Sequence, residues 1–425
     1  VEELRAPTPQ VQTRATELKA STEGKRLIEQ GGAQSFRLAR GKYEEALTSW
    51  RAIGDRFAEA QTLNSIGFLS GFMGAPMKAL EYYNQALTIR REIEDRDGEA
   101  ETLHGIGAMN SAFGKKEQAL EYYNRALLLR RAGGNRVGEA TTLGNIGLIY
   151  FSLGELRKAM EYYHQSLPLW RAAGRRDGEA SALIGLGSIH AYLGESEPAL
   201  DYFHQALRIS RGVNDRRGEA YALYNISKIY AELGEREKAL DVCAQALALF
   251  RVVADRSGEA NALNNLGAIN MSSNVSSNLS SNVSSGEKQK ALDFYDQALS
   301  IWRATGDRYG EAYALLNIGR LKDVSGEKQN ALDYYNQALT LFQKVKNLRG
   351  EAITLNNLGL LYASSGERQK GLDCYRRALP LWREMGDRGS EAITLANRAR
   401  VERDLDNLPE ALRSIETALA VMESL

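Results

Sequence analysis

Cysteine is nearly absent from this chain, with Cys243 and Cys374 the only two in 425 residues. Two thiols so far apart in sequence cannot build a disulfide framework or a four-ligand zinc site. Their scarcity makes a reducing compartment, the cytoplasm, the default expectation. Charge of one sign is also lacking. Lys plus Arg and Asp plus Glu number 54 each, which argues against a nucleic-acid backbone as the main partner, since such binders carry a basic surplus. No apolar run approaches the ~20 residues that cross a bilayer, so no membrane is expected as partner. The opening VEELRAPTPQ has no apolar segment of the kind a secretory signal carries. It begins with Val1 rather than Met, so the sequence is expected to be a piece of a longer protein.

The motifs that carry common chemistry are missing too. There is no HExxH, no CxxC and no Gly-rich phosphate loop. Histidine is limited to His104, His164, His190 and His204. His164 and His204 share a slot that Asn84, Asn124 and Asn336 fill elsewhere, which reads as a polar surface position rather than a metal pair. Cys243 and Cys374 stand where aromatic residues stand in neighbouring repeats, as packing substitutes rather than nucleophiles. No cofactor, metal or catalytic residue is therefore expected, and the chain does not read as an enzyme.

What the sequence does have is a period. The pair Glu-Ala recurs at 59–60, 99–100, 139–140, 179–180, 219–220, 259–260, 311–312, 351–352 and 391–392, at steps of 40 residues with a single step of 52. Four residues before each Glu stand Asp55, Asp95, Asn135, Arg175, Asp215, Asp255, Asp307, Asn347 and Asp387. Asp and Asn are favoured helix N-caps, because their side chains accept the orphan N–H groups of the first turn. A Glu in or just after that turn complements the helix dipole. A first helix, A, is expected to start at each of these sites, with Arg175 the one residue unable to cap. Its inward face reads Ala140, Leu143, Ile146, Gly147 and Tyr150, a 3.6-residue period. A glycine then breaks the chain, at Gly74, Gly114, Gly154, Gly194, Gly234, Gly286, Gly326 and Gly366. Helix B follows, burying Ala119, Leu120, Tyr123, Ala126 and Leu127, with Pro76, Pro198 and Pro409 in its first turn, where no N–H is needed.

The slot of Gly67, Gly107, Gly147, Gly187, Gly267, Gly319 and Gly359 stays small throughout, with Ser227 and Ala399 in the other repeats. Gly inside a helix costs ~1 kcal/mol against Ala, so its recurrence implies close approach of a neighbouring helix. Gly147→Leu is expected to unfold the local repeats. All four tryptophans, Trp50, Trp170, Trp302 and Trp382, occupy one slot near the end of helix B, filled elsewhere by Arg90, Arg130, Ser210, Phe250 and Phe342. They are expected to cap the junction with the next repeat, and Pro168 and Pro380, two residues earlier, to bend the helix.

Leu143, Gly147, Tyr150, Gly154, Ala159, Tyr163 and the small-Leu pair at 166–167 resemble the tetratricopeptide repeat pattern over about residues 40–425. That resemblance implies an all-α fold, an α-solenoid coiled as a right-handed superhelix of about ten helical hairpins, working as a binding scaffold. The domains are then a lead-in with a partial first repeat over 1–54 and nine repeats over 55–425. The long repeat and the Gly-Asp-Arg turns at 54–56, 306–308 and 386–388 are similar to Pins/LGN scaffolds and kinesin light chain. The lead-in Glu2-Glu3-Leu4-Arg5-Ala6-Pro7-Thr8-Pro9 and the stretch Lys42-Tyr43-Glu44-Glu45-Ala46-Leu47 resemble the entry to the arrays of bacterial CHAT-domain proteins. There a caspase-like protease domain often follows the array, which would make this chain a regulatory array of a larger protein.

The step of 52 has a readable cause. Residues 272–285 read SSNVSSNLSSNVSS, and three copies of four residues account for the extra 12. Such Ser/Asn runs cannot offset their ordering entropy by burial, so a loose loop is expected. Asn274, Asn278 and Asn282 each head an N-x-S sequon, which nothing else ties to a secretory setting.

The strongest functional pattern is a ladder of Asn145, Asn225, Asn265, Asn317, Asn357 and Asn397, two residues before the small slot, interrupted by Ser65, Gly105 and Gly185. The tetratricopeptide resemblance implies that helix A lines a concave groove, with this position facing it. An amide offers an acceptor and two donors, which suits a bidentate grip on a peptide main chain, the use the kinesin light chain resemblance implies. Tyr221 and Tyr224, with Tyr192, His104, Arg398, Arg400 and Arg403, would surround the ladder and supply selectivity. The competing reading has each Asn tying helix A to its neighbours. The expected partner is an extended protein or peptide segment; the alternative is a structural array that self-associates.

Overall fold

The computed structural model describes residues 19, 22–27, 33–271 and 283–423. The proposed lead-in over 2–9, most of the Ser/Asn tract and its three sequon asparagines lie outside the described residues. Among the described residues there are helices and turns and no strand.

The helices alternate as the repeat demands. After α1 (Ala33–Ile53) come α2 (Arg56–Phe72), α3 (Pro76–Glu92), α4 (Arg96–Ala112), α5 (Lys116–Ala132), α6 (Arg136–Ser152), α7 (Leu156–Ala172), α8 (Arg176–Tyr192), α9 (Ser196–Gly212) and α10 (Arg216–Glu232). Then follow α11 (Arg236–Val252), α12 (Arg256–Met271), α13 (Ser285–Thr305), α14 (Arg308–Val324), α15 (Lys328–Lys344), α16 (Leu348–Ser364), α17 (Arg368–Met385), α18 (Arg388–Arg403) and α19 (Leu408–Glu423). Even-numbered helices are A helices up to α18, and odd-numbered ones are B helices. The chain divides into two compact units, residues 1–218 and 219–425. Within each unit, A and B of one repeat pack as a hairpin and B packs on the next A, as in an α-solenoid.

Helix starts follow the capping rule. Asp55, Asp95, Asn135, Asp215, Asp255, Asp307, Asn347 and Asp387 each accept the backbone N–H three residues on. Arg175 makes no such bond. The turn from A to B is made by Gly74, Gly114, Gly154, Gly194, Gly234, Gly326 and Gly366, with φ between +71° and +86°. That left-handed conformation is costly for any residue with a Cβ. Gly286 departs from the expectation: it lies inside α13, whose cap is Ser284 in a reciprocal capping box with Glu287. The adjoining Ser/Asn tract supplies its own cap there, so no left-handed glycine is needed. Both α7 and α17 run without a break through Pro168 and Pro380.

The small slot is explained by rings. A Cβ on Gly267, Gly319 or Gly359 would come within 2.5–2.7 Å of the ring of Tyr295, Tyr335 or Tyr375 on the partner helix B. Where the slot is Ser227, the facing aromatic has become Cys243, which is fully buried. The thiol is therefore a packing substitute, as expected.

Candidate functional site

Each of the six ladder asparagines is half-buried on its helix A. Most of their amide nitrogens are already engaged inside the protein. Asn317 donates to Asn264 at 3.0 Å and Asn397 to Asn356 at 3.3 Å, each bridging to the A helix of the preceding repeat. Asn265 donates to Ser227 Oγ at 3.0 Å, and Asn225 to its own backbone carbonyl at Tyr221, at 2.9 Å. Among the described residues, no donor reaches the Oδ1 atoms of these four. Asn357 differs, because the equivalent of Asn264 one repeat before it is Leu316, and its buried Nδ2 has no partner. The ladder thus turns donors inward and leaves acceptors over, so the two ends of each amide are not equally available for a bidentate grip.

Asn145 belongs to a separate network. Arg130 lies beneath the first turn of α6 and donates to the Gly138 carbonyl at 2.6 Å. It also donates to His104 Nδ1 at 3.3 Å. Burial first, and then the Arg130 guanidinium, hold the imidazole down to about 3, so His104 is neutral. A ring accepting at Nδ1 carries its proton on Nε2. The Asn145 amide atom 3.1 Å from Nε2 must then be its carbonyl oxygen. Arg130 has lost the carboxylates of its counterpart: Arg90 pairs with Asp95 and Glu101, where the later repeat has Asn135 and Thr141. Burial accordingly pushes Arg130 below the usual arginine value.

Tyr221 and Tyr224 sit on α10 beside Asn225, and both rings pack on Phe250, with centroids 5.0 and 6.5 Å away. The Tyr221 hydroxyl donates to Asp255 Oδ2 at 3.0 Å. The two tyrosines therefore close a repeat junction as well as standing beside the ladder. Tyr192 and Arg400 are exposed, and Arg398 is held by Glu402 at 2.7 Å. His164 and His204 are exposed, and no cluster suited to a metal ion occurs among the described residues. The tryptophan slot caps junctions: a Cβ on Gly178 or Gly310 in the next helix A would lie within 2.5 Å of the Trp170 or Trp302 ring.

Two features escaped the sequence reading. One is an arginine pair on the Glu of five of the nine Glu-Ala pairs. Arg171 and Arg176 both bond Glu179 at 2.7 Å, and the same clamp recurs at Glu59, Glu259, Glu311 and Glu391. These carboxylates are buried, not surface groups completing a dipole. Burial alone pushes Glu179 up, but the arginine hydrogen bonds outweigh it and leave it below its usual value. The recurring Arg eight and three residues before the Glu was the signal. The other is a cavity of about 620 Å³ in the first unit, lined among others by Asn145, Tyr163, Trp170, Ser181 and Asp215.

Among the described residues no helix is long and apolar enough to cross a membrane. No curated protein matches the sequence. Among solved structures, a Rap protein complexed with Competence and Sporulation Factor is 14% identical with TM-score 0.59, over 86% of this chain and 98% of that one. The Rap conjugation gene regulator of the plasmid pLS20, in complex with the Phr* peptide, is 16% identical with TM-score 0.54, over 79% and 94%. A STAND protein with a tetratricopeptide repeat sensor from Pyrococcus horikoshii is 15% identical with TM-score 0.54, over 83% and 54%. At these identities the likeness shows the fold. Family models described as Tetratricopeptide repeat match residues 59–132, 138–212, 220–251, 284–344 and 350–424. With well over half of its length matched, the chain belongs to the tetratricopeptide repeat family.

Proposed function

We propose that this chain is a protein-interaction scaffold that binds an extended peptide segment along its A helices. The observation that carries the reading is the row of Asn225, Asn265, Asn317 and Asn397, whose donors are spent internally and whose Oδ1 acceptors are not. A peptide main chain presents N–H donors at regular intervals and complements such a row. A-helices ~10 Å apart and an extended chain rising ~3.3 Å per residue give about three peptide residues per repeat. Two of the similar structures carry a peptide or signalling factor as partner. No residue is assigned a catalytic role. The proposed setting is cytoplasmic, which fractionation of the source cells would check.

Capture of a partner by the native chain, compared with a variant in which Asn225, Asn265, Asn317 and Asn357 are all Ala, tests the site once both are shown to melt alike. Loss of capture supports the ladder, and equal capture removes it from the binding surface. The lead-in resemblance adds the proposal that the array regulates a CHAT-type protease in the same polypeptide. Reading the gene on both sides of this segment decides that point.

One observation favours self-association as a second reading. Leu408, Leu412, Ile415, Leu419 and Met422 form an apolar row on α19, each 46–62% exposed. Light scattering against concentration separates the readings: growth in mass that Leu412→Asp abolishes supports end-to-end assembly, and constant mass rejects it.

A further inference from the structure

The cavity beside Trp170 coincides with the loss of an internal plug. In the second unit two repeat junctions are closed by an aromatic pair. Tyr221 meets Phe250 edge to face at 5.0 Å, and Tyr313 meets Phe342 in the same way at 4.9 Å. In each case the tyrosine hydroxyl reaches the capping residue of the next helix A: Tyr221 donates to Asp255 at 3.0 Å, and Tyr313 lies 3.4 Å from Asn347 Nδ2. One period before Tyr221 and Phe250 stand Ser181 and Ser210. Both members of the plug are gone at this junction, and a cavity of about 620 Å³ runs from the preceding junction, at Trp170 and Arg175, to Ser181 and Asp215.

The groups left behind match the missing side chain. Asp215, the counterpart of Asp255, lines the cavity. Among the described residues its only side-chain hydrogen bond is the capping one from Gly218 to Oδ1 at 3.0 Å. The Ser210 hydroxyl is buried and has no partner. Trp170 is only half-buried, whereas Trp50, Trp302 and Trp382 are each 3% exposed. Asp177, the other carboxylate at the rim, is already held by Arg175 through two hydrogen bonds at 3.0 and 2.7 Å. The lining mixes apolar surface from Tyr163 and Trp170 with polar groups from Asn145, Arg175 and Ser181, and Asp215 adds a carboxylate acceptor. Such a mixture can hold a side chain that is apolar along its body and polar at its tip.

We propose that this cavity receives a tyrosine side chain of an extended partner segment, whose ring lies against Tyr163 and Trp170 and whose hydroxyl donates to Asp215. The partner's hydroxyl takes at Asp215 the place that the Tyr221 hydroxyl takes at Asp255, while its ring meets the indole of the preceding repeat, the Phe250 slot here being Ser210. This rests on the peptide-binding reading and adds the anchor residue of the partner. A guanidinium can also reach a capping carboxylate here, as Arg349 does to Asp387 at 3.0 Å. The duplicated tyrosine plug and the exposed indole face favour the phenol.

The test uses the full chain labelled with 15N-tryptophan, which gives four indole signals, one for each Trp, with Trp170 assigned from Trp170→Phe. Capped Gly-Ser-X-Ser-Gly peptides with Tyr, Phe or Arg at X are titrated to roughly 10 mM, enough to register millimolar affinity. The tyrosine peptide is expected to shift the Trp170 signal saturably. The phenylalanine peptide should bind about tenfold more weakly, for loss of a hydrogen bond to a charged group. Asp215→Asn should keep tyrosine binding, since Asn347 plays that part natively. The variant Ser181→Tyr with Ser210→Phe, which rebuilds the plug, should fold and lose it. Equal shifts from the Tyr and Phe peptides, preference for Arg, or binding undisturbed by the rebuilt plug would overturn the proposal. If longer peptides selected on the whole chain bind while Trp170 stays silent, the pocket assignment fails and the scaffold reading stands.

Discussion

Gly144 and Gly359 both sit inside A helices that alanine would favour, and their surroundings separate them. A Cβ at Gly144 meets nothing within 4 Å, whereas at Gly359 it would stand 2.5 Å from the fully buried ring of Tyr375. Gly144→Ala is therefore expected to raise stability by ~0.5–1 kcal/mol. Gly359→Ala should lower it by roughly 1–3 kcal/mol through overpacking. Urea melts of the two variants check both signs. The buried glutamates give the second residue-scale expectation. Glu179 and Glu311 both lie below their ordinary value of 4.5 in the folded chain, because the arginine hydrogen bonds outweigh the opposing effect of burial. A depressed carboxylate contributes stability above its unfolded value and loses it as the pH falls through the folded one. The melting temperature should therefore hold between about pH 7 and 5 and drop below about pH 4.5. Glu179→Gln should flatten part of that drop; an unchanged acid limb would show that the clamp contributes nothing.

Among the helices, α8 is the one A helix whose capping slot holds Arg. Arg175→Asn should restore the bond that Asn135 and Asn347 make natively, raising stability by ~0.5–1 kcal/mol. The exposed Arg175–Asp177 pair lost in the exchange is worth little. Thermal melting checks the sign. Element starts were legible in sequence because capping is local: a short polar side chain three residues before an N–H is enough. The glycine turns were legible for the same reason, apart from Gly286, where the tract before it brings its own cap. The arginine clamp was not read, because its partners come from the end of one helix and the start of the next. The plug and the cavity were harder still. Ser181 and Ser210 carry no signal of their own, and they matter only because two other repeats put Tyr and Phe there. The ladder itself was visible as a column of Asn. Whether an amide nitrogen is spent across the repeats depends on a residue in the preceding repeat, as Asn264 engages that of Asn317 and Leu316 leaves that of Asn357 without a partner.

At the scale of the whole molecule, a repeat array takes its stability from repeats and their nearest-neighbour interfaces. Nine copies of one register supply an internal comparison that a single-copy fold lacks. That comparison made the α-solenoid class readable before any coordinates, and it separates scaffold positions from positions free to vary. Glu-Ala, the capping slot and the small slot hold almost throughout, while the residues beside the ladder differ from repeat to repeat. A fixed row of acceptors with variable neighbours is what main-chain recognition with side-chain selectivity requires. The most direct test replaces single backbone N–H groups of a bound peptide. A peptide selected on the full chain is N-methylated at each position in turn and its affinity measured by calorimetry. The account predicts losses of about tenfold or more recurring at roughly every third residue, the spacing set by A-helix separation and strand rise. Uniform tolerance of methylation along the peptide would contradict it.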